Sequence, residues 1–254
     1  MRIATWNLLH GFDVRTGRVD LGAVAAAIDA LDVDVLAVQE VDRGQQRTGG
    51  VDQVAELAVR LGWHGVFAPA LLGDPTRRWH AGPGTGADPG GQAYGIGLLS
   101  RHALHSAARS ALPGGGAGAG VRRGRGRTGP GWDREPRVVL RAEVGTTGVT
   151  VATTHLSYLP WRGICQLRAA LRWAAAAGRR SVLMGDLNLP RRLLRPALTG
   201  CGWSAAPAGP TFPAQRPGLA LDHILARPGL LRDVRVGTGG PSDHLPVIAR
   251  LALS

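Results

Sequence analysis

The chain contains no lysine: its basic side chains are all arginine, 30 against 18 Asp and Glu, for a formal net charge of +12. An excess of that size normally points to a polyanionic partner. Arginine without lysine, in a chain loaded with alanine and glycine, reads instead as compositional drift, so charge alone adds little. Cysteine is nearly as scarce. Cys165 and Cys201 are too few for a disulfide framework and match no zinc or redox spacing. Both are expected as small buried apolar residues in a reducing compartment. No run of about eighteen apolar residues exists, which excludes a spanning helix. The start, Met1-Arg2-Ile3-Ala4-Thr5-Trp6-Asn7, is strand-like and lacks the basic, apolar and cleavage regions of a secretory signal. The expectation is a cytoplasmic protein, monomeric by default. A Gly-rich dinucleotide fingerprint and a P-loop are also missing.

What is present describes a globular chain. Of 254 residues, 44% are hydrophobic and 19% charged, enough for a sizeable core and consistent with one domain spanning 1–254. Glycine and proline gather in two stretches, 73–91 and 113–136, which can bury neither a stripe nor an alternating face and read as surface loops. The second is expected to be a flexible insertion. Its Arg122, Arg123, Arg125 and Arg127 could touch phosphates without base preference, but a solvated insertion fits them better.

Elsewhere short apolar runs alternate with helical patterns. Strands are expected at Ile3–Trp6, Val33–Val38, Gly95–Leu99, Val138–Val144, Val149–Thr154, Ser181–Met184, Leu221–Leu225 and Pro246–Leu251. Asp20 caps a helix whose Leu21, Val24, Ile28 and Leu31 share one face, and Val54, Leu57, Ala58 and Leu61 repeat the pattern. A third helix begins near Trp161. It turns Ile164, Leu167, Leu171 and Ala174 inward and leaves Arg162, Arg168, Arg172 and Arg179 to point out or snorkel. Trp6, Trp63 and Trp173 are expected in the core. Interleaved strands and helices in both halves fit an α/β two-sheet sandwich with helices outside better than one doubly wound sheet.

Polar, oxygen-bearing residues recur where chain leaves the sheet. Asn7 follows IATW, Glu40 follows VLAVQ, His155 follows VATT, Asp186 and Asn188 follow VLMG, and Asp243-His244 precedes the last strand. Loops at one edge of a sandwich can bring these together. Carboxylates so gathered would repel, and a bound cation is the simplest way to hold them close. Oxygen ligands suit Mg²⁺ or Mn²⁺ rather than Zn²⁺. Taken singly, each position is an ordinary turn or solvated residue; the joint order is what carries weight.

That order is TWNLLHG, DVLAVQEVD, GLLSR, TTHLS, LMGDLNLP, LDHIL and PSDHLPV. It resembles the endonuclease/exonuclease/phosphatase superfamily, which includes DNase I-like nucleases, AP endonucleases, tyrosyl-DNA phosphodiesterases, neutral sphingomyelinases and inositol-polyphosphate 5-phosphatases. The resemblance implies a four-layer α/β/β/α sandwich with mixed, mostly antiparallel sheets, and Mg²⁺- or Mn²⁺-dependent hydrolysis of a phosphate ester. It implies Glu40, Asn7 and Asp243 as metal-site residues. It also implies Asp186 and Asn188 as a GDxN pair handling the attacking water and a phosphate oxygen, and His155 as stabiliser of the pentacoordinate phosphorus. His244 would be oriented by Asp222, and whether His244 or Asp186 takes the proton from water stays open. An imidazole paired with a carboxylate suits that task near neutral pH.

Substrate choice must come from loops. His10 could face the substrate or solvent. Arg77-Arg78-Trp79-His80 could grip a phosphate and stack on a base, or form a surface turn anchored by its Trp. His223, on the other strand face from Asp222, reads as structural, and His102 and His105 as solvated. DNA or RNA is the marginal favourite, ahead of a small-molecule or lipid phosphate ester, with an inactive binding module of the same fold as the alternative from another class.

Overall fold

The computed structural model describes residues 1–114, 120–121, 133–178 and 180–252. The expected flexible insertion with its four arginines, and Arg179, fall largely or wholly outside them.

Along the chain run β1 (Arg2–Asn7), β2 (Phe12–Asp13), β3 (Arg18–Val19), α1 (Leu21–Ala30), β4 (Val35–Arg43), α2 (Gln53–Leu61) and β5 (His64–Gly73). Next come β6 (Arg78–Ala81), β7 (Ala93–Ser100), β8 (Leu104–Ala111), β9 (Gly120–Val121), β10 (Val138–Val144), β11 (Val149–His155) and α3 (Pro160–Ala175). β12 (Ser181–Asp186), α4 (Arg191–Ala197), β13 (Ser204–Ala205), β14 (Asp222–Ala226), β15 (Leu231–Val236) and β16 (Val247–Leu251) complete the order. An eight-stranded sheet runs β15-β16-β1-β4-β7-β5-β6-β9, and a six-stranded sheet runs β13-β14-β12-β11-β10-β8. Most pairings are antiparallel; β1 with β4 and β11 with β12 are parallel.

Alternation along the strands sorts side chains into layers. Ile3, Val35, Ala37, Ile96 and Leu98 of the larger sheet meet Val151, Val182, Met184 and Ile224 of the smaller one in a shared core. Their neighbours Ala4, Trp6, Leu36 and Val38 face outward against Val24, Ile28 and Leu57 of α1 and α2. On the far side Ala152, Leu183 and Leu225 pack against Leu167 and Leu171 of α3 and Leu194 of α4. The result is the expected α/β/β/α sandwich. β7 and β12 are buried at every residue, being covered on both faces.

The helix boundaries follow from capping. Asp20 accepts from the Ala23 amide at 2.9 Å and Asp52 from that of Ala55 at 3.0 Å. Gly62, in the left-handed region at φ 66, closes α2 and sends its amide to the carbonyls of Ala58 and Val59.

Several expectations need correction. The first Gly-rich stretch contains β6, which pairs with β5 from Leu71↔Ala81 to Gly73↔Trp79. Trp6 is fully buried, whereas Trp63 and Trp173 are only partly so, each under an arginine, Arg101 and Arg141 respectively. Cys165 is exposed and Cys201 partly exposed, because Cys165 sits on the outer face of α3. Arg162 does not point out. It is buried, with Nη2 donating to the Glu135 carbonyl at 3.0 Å and Nη1 4.0 Å from Asp133. His102 and His105 are exposed as expected.

Candidate active site

Sheet register places three of the site residues side by side. His155 on β11 is paired with Asp186 on β12, and Asp186 with Asp222 on β14. Directly paired residues share a face with Cβ atoms about 5 Å apart. Across the sandwich, Asn7 is paired with Gln39, one residue before Glu40. The sheets are joined just below by Gln39 Nε2, which donates to Thr153 Oγ1 at 3.0 Å.

Glu40 reaches the site through a β-bulge. In the β4–β7 pairing Gln39 is opposite Ile96 and Val41 opposite Gly95, leaving Glu40 as the extra residue, with φ 55. A bulge interrupts alternation and re-aims one side chain. A non-glycine residue in that left-handed conformation costs on the order of 1 kcal/mol. Glu40→Gly is therefore expected to be more stable to urea than Glu40→Ala, by roughly 1 kcal/mol of unfolding free energy and with a correspondingly higher midpoint, while both lose turnover. Equal midpoints would show that the position carries no strain.

From Glu40 the polar groups form a continuous chain. Asn7 Nδ2 donates to Glu40 Oε1 at 2.9 Å and to Asp186 Oδ2 at 3.1 Å, and Asn7 Oδ1 accepts from the Leu9 amide at 3.0 Å. Asp186 Oδ2 lies 3.7 Å from His244 Nε2 and 3.5 Å from His155 Nε2. His244 Nδ1 is 2.8 Å from Asp222 Oδ2. Asn188, at φ 50, donates from Nδ2 to the Leu156 carbonyl at 3.0 Å and faces His155 Nε2 at 3.1 Å, while its amide donates to Asp186 Oδ1 at 3.0 Å. With the Asn188 NH₂ group turned to it, His155 Nε2 is the acceptor and the ring is neutral.

The final segment is clamped onto the first strand. Trp6 Nε1 donates to the His244 carbonyl at 2.9 Å, and Ser242 Oγ donates to the Asn7 carbonyl at 2.6 Å while accepting from the His244 amide at 3.1 Å. The Phe212 ring lies 4.8 Å from that of His244, centroid to centroid.

Electrostatics separate the titrating groups. Burial, reinforced by the Asp222 charge, raises Asp186 to about 7. Burial works to lower His244, but the Asp222 hydrogen bond and the charges of Asp222, Asp186 and Asp243 outweigh it and raise the ring to about 9. Burial, then the charge of Arg137, holds His155 well below the usual histidine range. Burial lifts Glu40 above the usual carboxylate range against the Asn7 hydrogen bond, with the Asp243 charge adding to the rise.

Asn7, Glu40, His155, Asp186, Asn188, Asp222, Asp243 and His244 therefore stand together. Asp186, Asp222 and His244 present ligand-type atoms within 4.8 Å of one another, a group that could hold a metal ion. His10 is half-buried, and burial followed by the Arg47 charge lowers it to about 4. Its Nδ1 is buried without a partner, and its carbonyl accepts from Gln53 Nε2 at 2.7 Å. Arg77, Arg78 and Trp79 lie on the β5–β6 hairpin, whose Gly73 carbonyl is held at 2.8 Å by Gln45 of the segment following Glu40. His223 turns away, its Nε2 3.0 Å from the Leu189 carbonyl.

A buried charge network beside the site was missed from sequence. Arg137 lies between Glu135, at 3.1 Å, and Asp133, at 3.3 Å. Its charge acts on both Glu40 and His155. Asp133 and Glu135 fall inside the stretch discounted as insertion; the one available signal was acidic and basic residues placed directly before a strongly apolar strand.

Carboxylates, imidazoles and amides converging at one edge of such a sandwich define a hydrolase of phosphoric esters. The sequence pattern of the Endonuclease/Exonuclease/phosphatase family matches residues 4–244, and the chain belongs to that family. A comparison with curated proteins gave no match. Among solved structures, the chain is similar to an endonuclease/exonuclease/phosphatase from Beutenbergia cavernae (26% identity, TM-score 0.73, 99% of this chain and 72% of that one). It is also similar in fold to the 3′-5′ exonuclease NExo from Neisseria meningitidis (20%, 0.61, 99% of each). A third structure of this fold is the Bacteroides thetaiotaomicron mannosyl-6-phosphatase Bt3783 (17%, 0.67, 99% of each). Among the described residues no helix is long and apolar enough to cross a membrane.

Proposed function

We propose that the protein is a divalent-metal-dependent phosphodiesterase with nuclease-like chemistry, using Mg²⁺ or Mn²⁺. The observation that carries this is the unbroken chain from Glu40 through Asn7 and Asp186 to the His244–Asp222 pair. The residues fit a cation: Asp243 Oδ1 and Asp222 Oδ1 are buried with no hydrogen-bond partner, an uncompensated cost unless a positive charge is supplied. Asp222 Oδ2 is already engaged by His244, so Glu40 and Asp243 would be the principal holders, with Asn7 bracing Glu40 against Asp186. A bound divalent ion would neutralise phosphate charge and ease deprotonation of water.

The protein groups divide the remaining work. Asp186, raised to about 7, is poised to take the proton of the attacking water. His244, raised to about 9 and held by Asp222, is an imidazolium at neutral pH and donates to a phosphoryl oxygen as its charge grows. Asn188 and His155 fix each other beside Asp186.

The fold is compatible with both diester and monoester substrates, since NExo is a 3′-5′ exonuclease and Bt3783 a mannosyl-6-phosphatase. Nucleic acid is favoured here by exposed aromatic and arginine side chains on the segments that leave the site, Tyr158 and Trp161 after His155 and Arg191 and Arg192 after Asn188. The test offers purified protein, with Mn²⁺, Mg²⁺ or EDTA, bis- and mono-p-nitrophenyl phosphate, single-stranded and plasmid DNA, a hexose 6-phosphate and phospholipid. Cation-dependent diester cleavage is expected. Turnover of monoesters alone would make it a phosphatase, and no turnover at all would leave a binding module.

A further inference from the structure

His155 and Asp186 end neighbouring parallel strands in register, so the segments that follow them leave the sheet side by side. Three residues beyond His155 stands Tyr158, and three beyond Asn188 stands Arg191, each at most about 11 Å of chain from the site. The two segments stay in contact: a Cβ on Gly163 of α3 would come within 3.3 Å of Leu189 Cδ2.

This rim has an unusual surface. Tyr158 is 52% exposed and Trp161 69% exposed, whereas large hydrophobics elsewhere are mostly buried. On the segment that follows Asn188, Arg191 and Arg192 are exposed, and among the described residues neither has a hydrogen-bond or ion-pair partner. From Ser157 to Thr199 the chain carries eight arginines and one carboxylate, Asp186. Exposed rings and unpaired guanidinium groups on a predominantly basic stretch have the composition of a platform for unpaired bases and their phosphates.

We infer that Tyr158, Trp161, Arg191 and Arg192 form a subsite for single-stranded nucleic acid, on which bases stack on the rings while the arginines hold the flanking phosphates. The inference rests on the phosphoesterase reading above and names its substrate class. A duplex keeps its bases stacked internally and offers the rings nothing comparable. A lipid surface would call for an aliphatic hairpin alongside the aromatics, but the other exposed large hydrophobics, Val14, Val59 and Leu219, lie on three other segments.

The test measures binding without turnover. In EDTA, fluorescence anisotropy of labelled dT12 is followed with the wild type, Tyr158→Ala, Trp161→Ala, the double variant and Arg191→Gln, each checked for an unchanged melting temperature. The wild type should bind dT12 more tightly than the matching duplex. Each ring lost should weaken binding about tenfold, the order expected for one stacked base. Arg191→Gln should reduce the salt slope by about one phosphate contact. Equal affinity of wild type and double variant would overturn the inference, as would binding to phosphatidylglycerol vesicles but not to dT12. Hydrolysis of bis-p-nitrophenyl phosphate, measured separately, decides the phosphoesterase reading: turnover without dT12 binding sinks the subsite alone, and dT12 binding through these residues without turnover sinks the enzyme alone.

Discussion

Replacing His244 by alanine is expected to lower kcat on bis-p-nitrophenyl phosphate by about 10³-fold with KM little changed, because the ring acts on charge that develops only in the transition state. Asp222→Asn should lose a comparable factor, on the order of 10²–10⁴, since an amide can present an NH to Nδ1 and stabilise the wrong tautomer. The double variant should be little worse than either single one, because the 2.8 Å hydrogen bond makes the pair one functional unit. Multiplying losses would show that the two act independently. The pH profile supplies a second check. Rate should rise as Asp186 loses its proton near 7 and fall as His244 loses its own near 9, giving a bell. A bound cation favours the deprotonated forms, so both limbs should move to lower pH as metal is raised. A profile flat from pH 6 to 9, measured as kcat/KM, would remove both groups from proton handling.

Gly185→Ala is expected to destabilise the fold by about 3 kcal/mol and to abolish activity with it. A Cβ at that position would overlap the Thr154 carbonyl oxygen, a backbone atom that cannot rotate aside. Relief requires β11 and β12 to part, and the next pair along that register is His155 with Asp186. Gly218→Ala is the control: nothing lies within 4 Å of its added Cβ, and its effect should stay within about 0.5 kcal/mol. Urea denaturation followed by circular dichroism measures both. A Gly185→Ala variant as stable as the control would mean that the strands tolerate separation.

Much of this site was legible in the sequence because its residues sit at strand ends, where an apolar run gives way to one polar letter. Asp186, Asn188, His155 and His244 were found in that way. What stayed hidden depended on contacts between distant segments. The bulge that aims Glu40 leaves no mark in the letters: the expected strand stops at Val38 with Glu40 beyond its end, whereas β4 runs on to Arg43 and carries Glu40 as a bulged residue within it. Arg162 falls on the polar face of α3 by helical periodicity, yet Asp133, 29 residues earlier, pulls it inside. β6 was concealed by glycines and prolines around it, and its pairing with β5 is set by the hairpin rather than by its own apolar content. The exposed rings of Tyr158 and Trp161 could be seen as letters, but only the adjoining course of two strands makes them a surface.

One consequence concerns when the site comes into being. Asn7 comes from the opening strand and His244 lies just ahead of the closing one, and Trp6 and Ser242 tie them together. During synthesis a chain still lacking its last segment has neither the imidazole nor the tie. With the roles proposed above, hydrolysis waits until β16 has paired with β1.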